Sequence, residues 1–389
     1  MRMALTFNIY LERLAPIRSL VYVAVVAGLV GCSLWGGGNT KPVPTDLGPN
    51  VAVLGVRQAW TARIDAVAGL PLEINTTGNV VTVASAAGTV VAIDARTGGD
   101  LWRAALGEPL SAGVGGDGKL TAVVSRSNSL IVLASGHERW REQMGAQVFT
   151  PPLVAGGRVF VLSADRSISA YDASTGHRLW IQQRTGEPLI LRQSGVLLAV
   201  GDTLVAGLSG RLVGLNPDNG STRWEAPIGS SRGTNDVERL VELVGPVSKI
   251  AESVCARSFQ SAVGCVDTLR GAVLWTQPAN GADGISGDAD AVYGVEKNGR
   301  VIAWKRSSGA RMWESDRLKY RNLTAPLLLG RSVVIGDDMG LIHLLSRIDG
   351  SPLNRIATDG SGIAAPPVIA ADTLVVVTRS GVVYGFRPD

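Results

Sequence analysis

A glycine followed four residues later by a tryptophan recurs six times along this 389-residue chain, and nothing else in it narrows the possible folds so far. The pairs are Gly98/Trp102, Gly136/Trp140, Gly176/Trp180, Gly220/Trp224, Gly271/Trp275 and Gly309/Trp313. Gly350/Asn354 is a degenerate seventh, and Trp60 is a further aromatic in the same phase. Successive spacings from Trp60 to Asn354 are 42, 38, 40, 44, 51, 38 and 41 residues. A period of about 40 belongs to propeller blades or to helical repeats.

The residues inside each period decide for strands. Arg158-Val159-Phe160-Val161-Leu162, Ser167-Ile168-Ser169-Ala170-Tyr171 and Arg211-Leu212-Val213-Gly214-Leu215 are short alternating runs rich in β-branched or aromatic residues and bounded by turn residues. No segment after residue 32 sustains a helical stripe of apolar residues. Each period reads as four strands. The glycine opens the turn into the last one, where it supplies a positive φ without a Cβ clash. The tryptophan on that strand is expected to bury its ring between neighbouring blades. The chain ends with three strands, at 365–368, 373–378 and 381–386, and stops at Asp389, where the next turn and Trp would fall. The strand around Trp60, residues 58–64, has the phase to supply the fourth. The expected fold is therefore all-β, an eight-bladed β-propeller of four-stranded antiparallel blades closed by N- and C-terminal strands sharing one blade, which removes an exposed sheet edge.

The segments outside the repeat read differently. Residues 1–31 have the form of a signal peptide: Arg2, Arg13 and Arg18 precede an apolar run, 20–30, too short to span a bilayer. The run ends in Leu29-Val30-Gly31-Cys32, which resembles a lipobox, so Cys32 is expected to become the lipidated first residue of the mature chain. Ser33 at the next position favours an outer-membrane destination. Residues 32–58, with Gly36-Gly37-Gly38, Pro42, Pro44 and Pro49, are expected to form a flexible tether with a reach of roughly 25–30 Å. The propeller is expected over 59–389.

Composition and motifs exclude several functions. The formal charge is +4. Arg2, Arg13, Arg18 and Glu12 contribute +2 of it, which leaves +2 for the mature chain. No Lys/Arg run interleaved with aromatics suggests nucleic acid, and the scattered arginines read as a solvated surface. His137, His177 and His343 have no ligand-spaced partner, so no metal is expected. No cofactor or catalytic signature appears: Asp94, Asp172 and Asp267 share one repeat position with Asn216 and read as turn residues, and the glycines from 113 to 118 read as an inter-blade turn. Cys255 and Cys265 stand five residues either side of Gln260, so a turn centred there faces them across a hairpin, a possible disulfide in an oxidising compartment.

The repeat is most stretched between Trp180 and Trp275, where the spacings reach 44 and 51. Extra residues in a repeat become loops on one face, often the binding face. The excess falls at 183–194 and 227–245. Within the first, Leu189-Ile190-Leu191-Arg192 sets apolar residues beside a guanidinium, a composition suited to protein contact, with an inner strand of the next blade as the competing reading.

The pattern A-x-D-x-x-T-G-x-x-x-W, clearest at 92–102 and 170–180, resembles the repeat of pyrroloquinoline-quinone enzymes, shared by enzymes and non-enzymes. With the lipobox, the length and eight periods, residues 15–389 resemble the BamB family, lipoproteins of the outer-membrane β-barrel assembly machine. The resemblance implies a non-catalytic scaffold in the outer membrane, facing the periplasm, that binds the POTRA domains of BamA with the rest of the complex and supports barrel assembly. Nascent outer-membrane proteins are a further implied partner. The family motif Leu-x-Leu-Arg-Gly matches Leu189, Leu191 and Arg192, with Gln193 in place of Gly. A second, acidic-Arg-Leu-x-acidic-x-acidic, matches Glu238, Arg239, Leu240 and Glu242, with Val244 in place of the last acid. The rival readings are a quinoprotein enzyme, which lacks support because no adjacent cysteines occur, and a periplasmic propeller binding a small molecule in its central channel.

Overall fold

The computed structural model describes residues 42–67, 69–184, 190–230 and 240–389. The signal segment 1–31, Cys32 and the start of the tether lie outside the described residues, as do Leu189, Glu238 and Arg239. The chain from Pro44 to Asp389 forms one compact unit of eight four-stranded antiparallel sheets. Seven blades are consecutive in sequence, at 75–105, 110–143, 153–182, 197–227, 243–278, 285–315 and 327–357. The eighth takes its three inner strands from 368–388 and its outermost strand, Val56–Arg63, from the N-terminal side. The two middle strands of each blade carry small β-branched residues because both faces are covered by neighbours: Val81, Val83, Val90 and Val91 are fully buried.

The repeat's glycine and tryptophan form the joint between blades. Trp60 lies over Gly98 of the next blade, Trp102 over Gly136, Trp140 over Gly176, Trp180 over Gly220, Trp224 over Gly271, Trp275 over Gly309 and Trp313 over Gly350. A Cβ on Gly98 would sit 2.7 Å from the Trp60 ring, so the glycine answers both a positive φ of 76° and the ring's approach. At several joints the indole N–H donates to a carbonyl one turn earlier in the neighbouring blade: Trp60 to Ala95 at 2.8 Å, Trp140 to Ala173 at 2.9 Å, Trp313 to Arg347 at 2.9 Å. These joints combine ring packing with a directional bond.

Every outermost strand also carries a β-bulge at the residue before the repeat's aromatic position. The register jumps from Ile93↔Asp100 to Ala92↔Trp102, leaving Leu101 unpaired, and the same shift isolates Leu179, Arg223, Leu274, Met312 and, in the eighth blade, Ala59. The bulge accounts for the exposure of Leu101, Leu179, Leu274 and Met312, about half of each side chain. It also twists an edge that would otherwise accept a further strand.

Four expectations need correction here. The strand completing the ring is Val56–Arg63 rather than 58–64, so the propeller starts before Ala59, and the segment preceding it is no free tether. Thr45 donates its N–H to Lys319 O and accepts from Arg321, Val53 donates to Leu353 O, and Asn50 bonds Asn354 and Arg355 O, with Leu47 packed on the sixth and seventh blades and Leu54 on the seventh and eighth. Proline and glycine content reported the lack of regular structure there but not the tertiary bonds, which bind the chain to the propeller from Thr45 onward. The glycines at 113, 115 and 116 belong to the inner strand Leu110–Gly116, not to an inter-blade turn. A Cβ on Gly115 would meet Pro152 O at 1.7 Å, a consequence of how tightly inner strands crowd the bore. The arginines are not all solvated: Arg166, Arg257 and Arg306 are buried.

The fourth correction concerns the repeat tryptophans, which do not all bury their rings between blades. Trp60, Trp275 and Trp313 are buried, whereas Trp102, Trp140, Trp180 and Trp224 are only partly so. They stand on the outermost strand, at the rim of the blade, where the far side of a large ring meets solvent. Trp224 departs furthest from the expected joint. Gly271 approaches its Cβ and Cγ, at 2.4 and 2.6 Å from an added Cβ, where Gly98 approaches the fused bond of the Trp60 ring. The Trp224 ring lies over Gly214 of its own blade, whose Cβ position is 2.2 Å from Cε2, as Trp60 lies over Gly385, but its indole N–H has no partner among the described residues. Trp224 packs on the core shared by the fourth and fifth blades without the directional bond that Trp60, Trp140, Trp180, Trp275 and Trp313 make.

Candidate functional site

The longest connections between blades are 183–196, from the third to the fourth, and 228–242, from the fourth to the fifth. Such connections share one face of the ring with the turns between middle strands, to which they hydrogen-bond: Ala164 N to Gln147 O, Ile228 N to Gly210 O, Phe259 N to Glu242 O. The fourth blade's inner strand is Leu197–Val200, so Ile190, Leu191 and Arg192 lie in the connection and not in a hidden strand.

Leu191 is half-buried and, with Ile190, lines a cleft whose other wall comes from Phe149, Leu162, Leu208 and Glu242. Arg192 is exposed and holds its guanidinium 5.6 Å from the centre of the Phe149 ring, a stacking that restricts the fork without satisfying its charge. Gln193, standing where the family motif has Gly, donates from Nε2 to Ala282 O at 2.6 Å and ties the connection to the loop before the sixth blade. Gly195 N bonds Thr150 Oγ1 at 3.0 Å, and Gly245 N bonds Ser194 O at 3.0 Å, which fixes where the connection re-enters the fold.

The second connection contributes differently. Glu242 accepts from Arg166 at 2.7 Å in a largely buried pair between the third-blade turn and the entrance to the fifth blade. It is a bracket within the protein, and no free acid for a partner. Leu240 is half-buried beside it, and Val244 is buried in the fifth blade's inner strand, where an acid would lose its solvation. Sequence reasoning missed Arg166 and Phe149 as site residues because one lies in a turn of the third blade and the other in the connection before that blade, and neither segment is stretched.

The bore behind this cleft is bridged. Glu73, leading into the first blade, accepts from Ser194 Oγ three blades away, and Gly245 closes on the same carboxylate, with its Cβ position 3.1 Å from Glu73 Oε1. Burial raises the Glu73 carboxyl, opposed by the Ser194 hydroxyl. Asp283, before the sixth blade, is pushed up to about 6 by burial, opposed by the charge of Arg257. Its folded value lies above the usual 3.8, so the native state keeps this proton longer than the unfolded chain. Stability is therefore lost as pH rises from about 4 to about 6, and the loss is complete above that window. Asp283→Asn is expected to stabilise by about 1–3 kcal/mol at neutral pH and to change little near pH 4, checked by urea denaturation at both. An equal gain at both would show that titration of Asp283 is not its source.

The turn and hairpin residues fall in place around this. Asp172 Oδ1 accepts from the backbones of Ser174 and Thr175 and from their hydroxyls, and these bonds hold it down to about 2, while Asp94 caps Arg96 N in the same way. Cys255 and Cys265 face each other in register across the turn at Gln260 and are joined as a disulfide. His343 is buried against Asp337 at 2.9 Å, and no group of acidic, His and Cys residues suited to a metal occurs among the described residues.

The family model described as outer membrane protein assembly factor BamB matches residues 86–315. A protein of that name from Burkholderia pseudomallei is 40% identical over 353 residues, covering 90% of this chain and 93% of its own. The chain belongs to the BamB family. A family member from Bordetella pertussis is 32% identical over 367 residues, covering 94% and 95% of the two chains. The solved BamB of Moraxella catarrhalis superposes with a TM-score of 0.79 at 24% identity, over 85% of this chain and 99% of that one. Quinohemoprotein alcohol dehydrogenase from Comamonas testosteroni reaches 0.67 at 16% identity over 86% and 77%, a likeness of fold alone. The expectation of a BamB-type propeller holds, and the kinship with quinoproteins is architectural.

Proposed function

We propose that this chain is a non-catalytic scaffold of outer-membrane protein assembly, lipidated at Cys32 after removal of residues 1–31, held at the outer membrane facing the periplasm, and docked on the POTRA domains of BamA through its two long connections. The observation that carries the docking reading is the cleft itself. The two stretched periods converge on one face, where Leu191 offers apolar surface and Arg192 a stacked guanidinium without an ion pair among the described residues. Leu189, Glu238 and Arg239, assigned to the same surface by resemblance, lie outside the described residues. Glu242 supports the surface indirectly, by bracketing it to Arg166. A ligand channel is the weaker reading, because Glu73 and Ser194 bridge the bore. Strand addition of nascent barrels to blade edges is likewise disfavoured by the bulges.

The test is co-purification with BamA from solubilised envelope. Arg192→Glu, and Leu189 with Leu191 both changed to Ala, are expected to reduce capture at least roughly tenfold, the scale of a lost charged or apolar anchor. Circular dichroism of both variants should match the parent. Undiminished capture by folded variants overturns the docking assignment.

A further inference from the structure

We propose that Arg126 and Arg192 together form a receptor for a carboxylate side chain of the docking partner, one that follows or precedes an apolar residue in the partner's sequence. The proposal rests on the docking role assigned above to the 183–196 connection. Both arginines line a single cavity of about 490 Å³ on the connection face, with Phe149, Gln147, Asn128 and Ser111 among the residues around them.

Arg126 stands in the turn between the second blade's middle strands, Leu120–Ser125 and Ser129–Ala134. Its backbone N–H donates to Pro109 O at 2.8 Å and its Nε to Leu110 O at 3.3 Å, so the base of the fork is anchored. Its two terminal nitrogens have no partner among the described residues. Among the described residues, Arg192 is held by the Phe149 ring alone. Other arginines on this face are matched: Arg166 by Glu242, Arg257 by Glu296, Arg321 by Asp337. Among the described residues, no Asp or Glu lines the cavity. Two exposed guanidiniums facing one void repel each other, and an anion between them removes that cost while accepting up to four charge-assisted hydrogen bonds.

Recognition of an anion rests on the two arginines, since the buried Oδ1 of Asn128 is an acceptor and the Ser111 hydroxyl is already bonded to the carbonyls of Val124 and Ser125. Phe149 is the link that identifies the occupant. It lines both this cavity and the apolar cleft of Ile190 and Leu191. A polypeptide that places an apolar side chain against Leu191 carries its neighbouring residue across Phe149 into the space between the two arginines. A free anion has no use for the apolar half, so a protein carboxylate is the fitting occupant.

The experiment measures binding of purified BamA POTRA domains to the full-length protein by calorimetry at several salt concentrations. Arg126→Gln is expected to weaken binding roughly tenfold and to flatten its salt dependence, as for loss of a charge-assisted contact, while Arg126→Lys keeps the charge and recovers part of the loss. If Arg192→Glu abolishes binding but Arg126→Gln stays within about twofold of the parent, the receptor is overturned and the docking reading stands. If Arg192→Glu and Leu191→Ala also bind like the parent, both fall. Inorganic phosphate is titrated separately. Its binding to the parent and not to Arg126→Gln, with POTRA binding unchanged, would assign the cavity to a small anion and overturn the proposal.

Discussion

Trp60→Ala is expected to lower the unfolding free energy by about 3–5 kcal/mol, the range for truncating a buried Trp to Ala, and to do so by opening the ring at its seam. Trp60 is the aromatic of a strand drawn from the opposite end of the chain, paired with residues 382–388. Its side chain is 8% exposed, lies against Gly385 of its own blade and Gly98 of the next, and donates to Ala95 O at 2.8 Å. Removing it leaves a cavity between two glycines, which have no side chains with which to fill it, and frees the N-terminal strand from the first blade. Trp60→Phe separates the parts: it retains most of the burial and loses the indole bond, for an expected cost nearer 1–2 kcal/mol. Urea denaturation followed by far-ultraviolet circular dichroism measures both. A loss below about 1 kcal/mol for Trp60→Ala would show that the seam is held by the backbone ladder of strand Val56–Arg63, not by this joint.

The blade count, the ring closure and the strand bearing each tryptophan were legible because they depend on periodicity, which a repeat displays many times over. The reason each glycine is obligatory was only half legible. A positive φ at Gly98 follows from turn chemistry, but the approach of Trp60 comes from the preceding blade and has no local signature. Nor does an identical motif report how deep each ring sits: Trp224 and Trp275 occupy the same repeat position, yet only Trp275 is buried and bonded across the joint. The bulge before each tryptophan was hidden for a related reason: Leu101 and Leu179 read as ordinary strand residues, and only pairing across the sheet shows that they are skipped. The candidate site divides in the same way. Stretched periods located Leu191 and Arg192, since extra length is visible in one dimension. Phe149, Arg126 and Arg166 were invisible, because each lies in a turn or connection that is not stretched and becomes part of the site only when the ring brings it beside the long connection. The motif match also presented Glu242 as an interacting acid, whereas the fold commits it to Arg166.

The least legible residue of all carries the second large prediction. Arg257 reads in sequence as one more scattered arginine, yet its side chain is fully buried between the fifth and sixth blades. It donates to Val295 O at 2.9 Å and to Glu296 Oε1 at 3.1 Å, and it lies 5.9 Å from the Trp304 ring, while its Nε and one terminal nitrogen find no partner. Gly281 and Gly294 make room for it: a Cβ on either would fall within 2.3 Å of the guanidinium. Burial lowers the Arg257 pKa from its usual value, with the attraction of Glu296 working against that. Glu296→Gln keeps the shape but leaves the guanidinium only the attraction of Asp283, so an expected cost of about 3–5 kcal/mol follows from the penalty for a buried ion that has lost its hydrogen-bonded counter-charge. Adding Arg257→Met in the same chain removes the stranded charge and keeps much of the volume, and it should recover most of that loss, since a buried pair adds little over a well-packed apolar substitute. Denaturant midpoints of the parent, the single variant and the double variant decide the matter. If Glu296→Gln alone costs less than about 1 kcal/mol, the guanidinium is finding solvation that its burial denies, and the joint between these two blades must be held by Trp275 and its bond to Arg306 O instead.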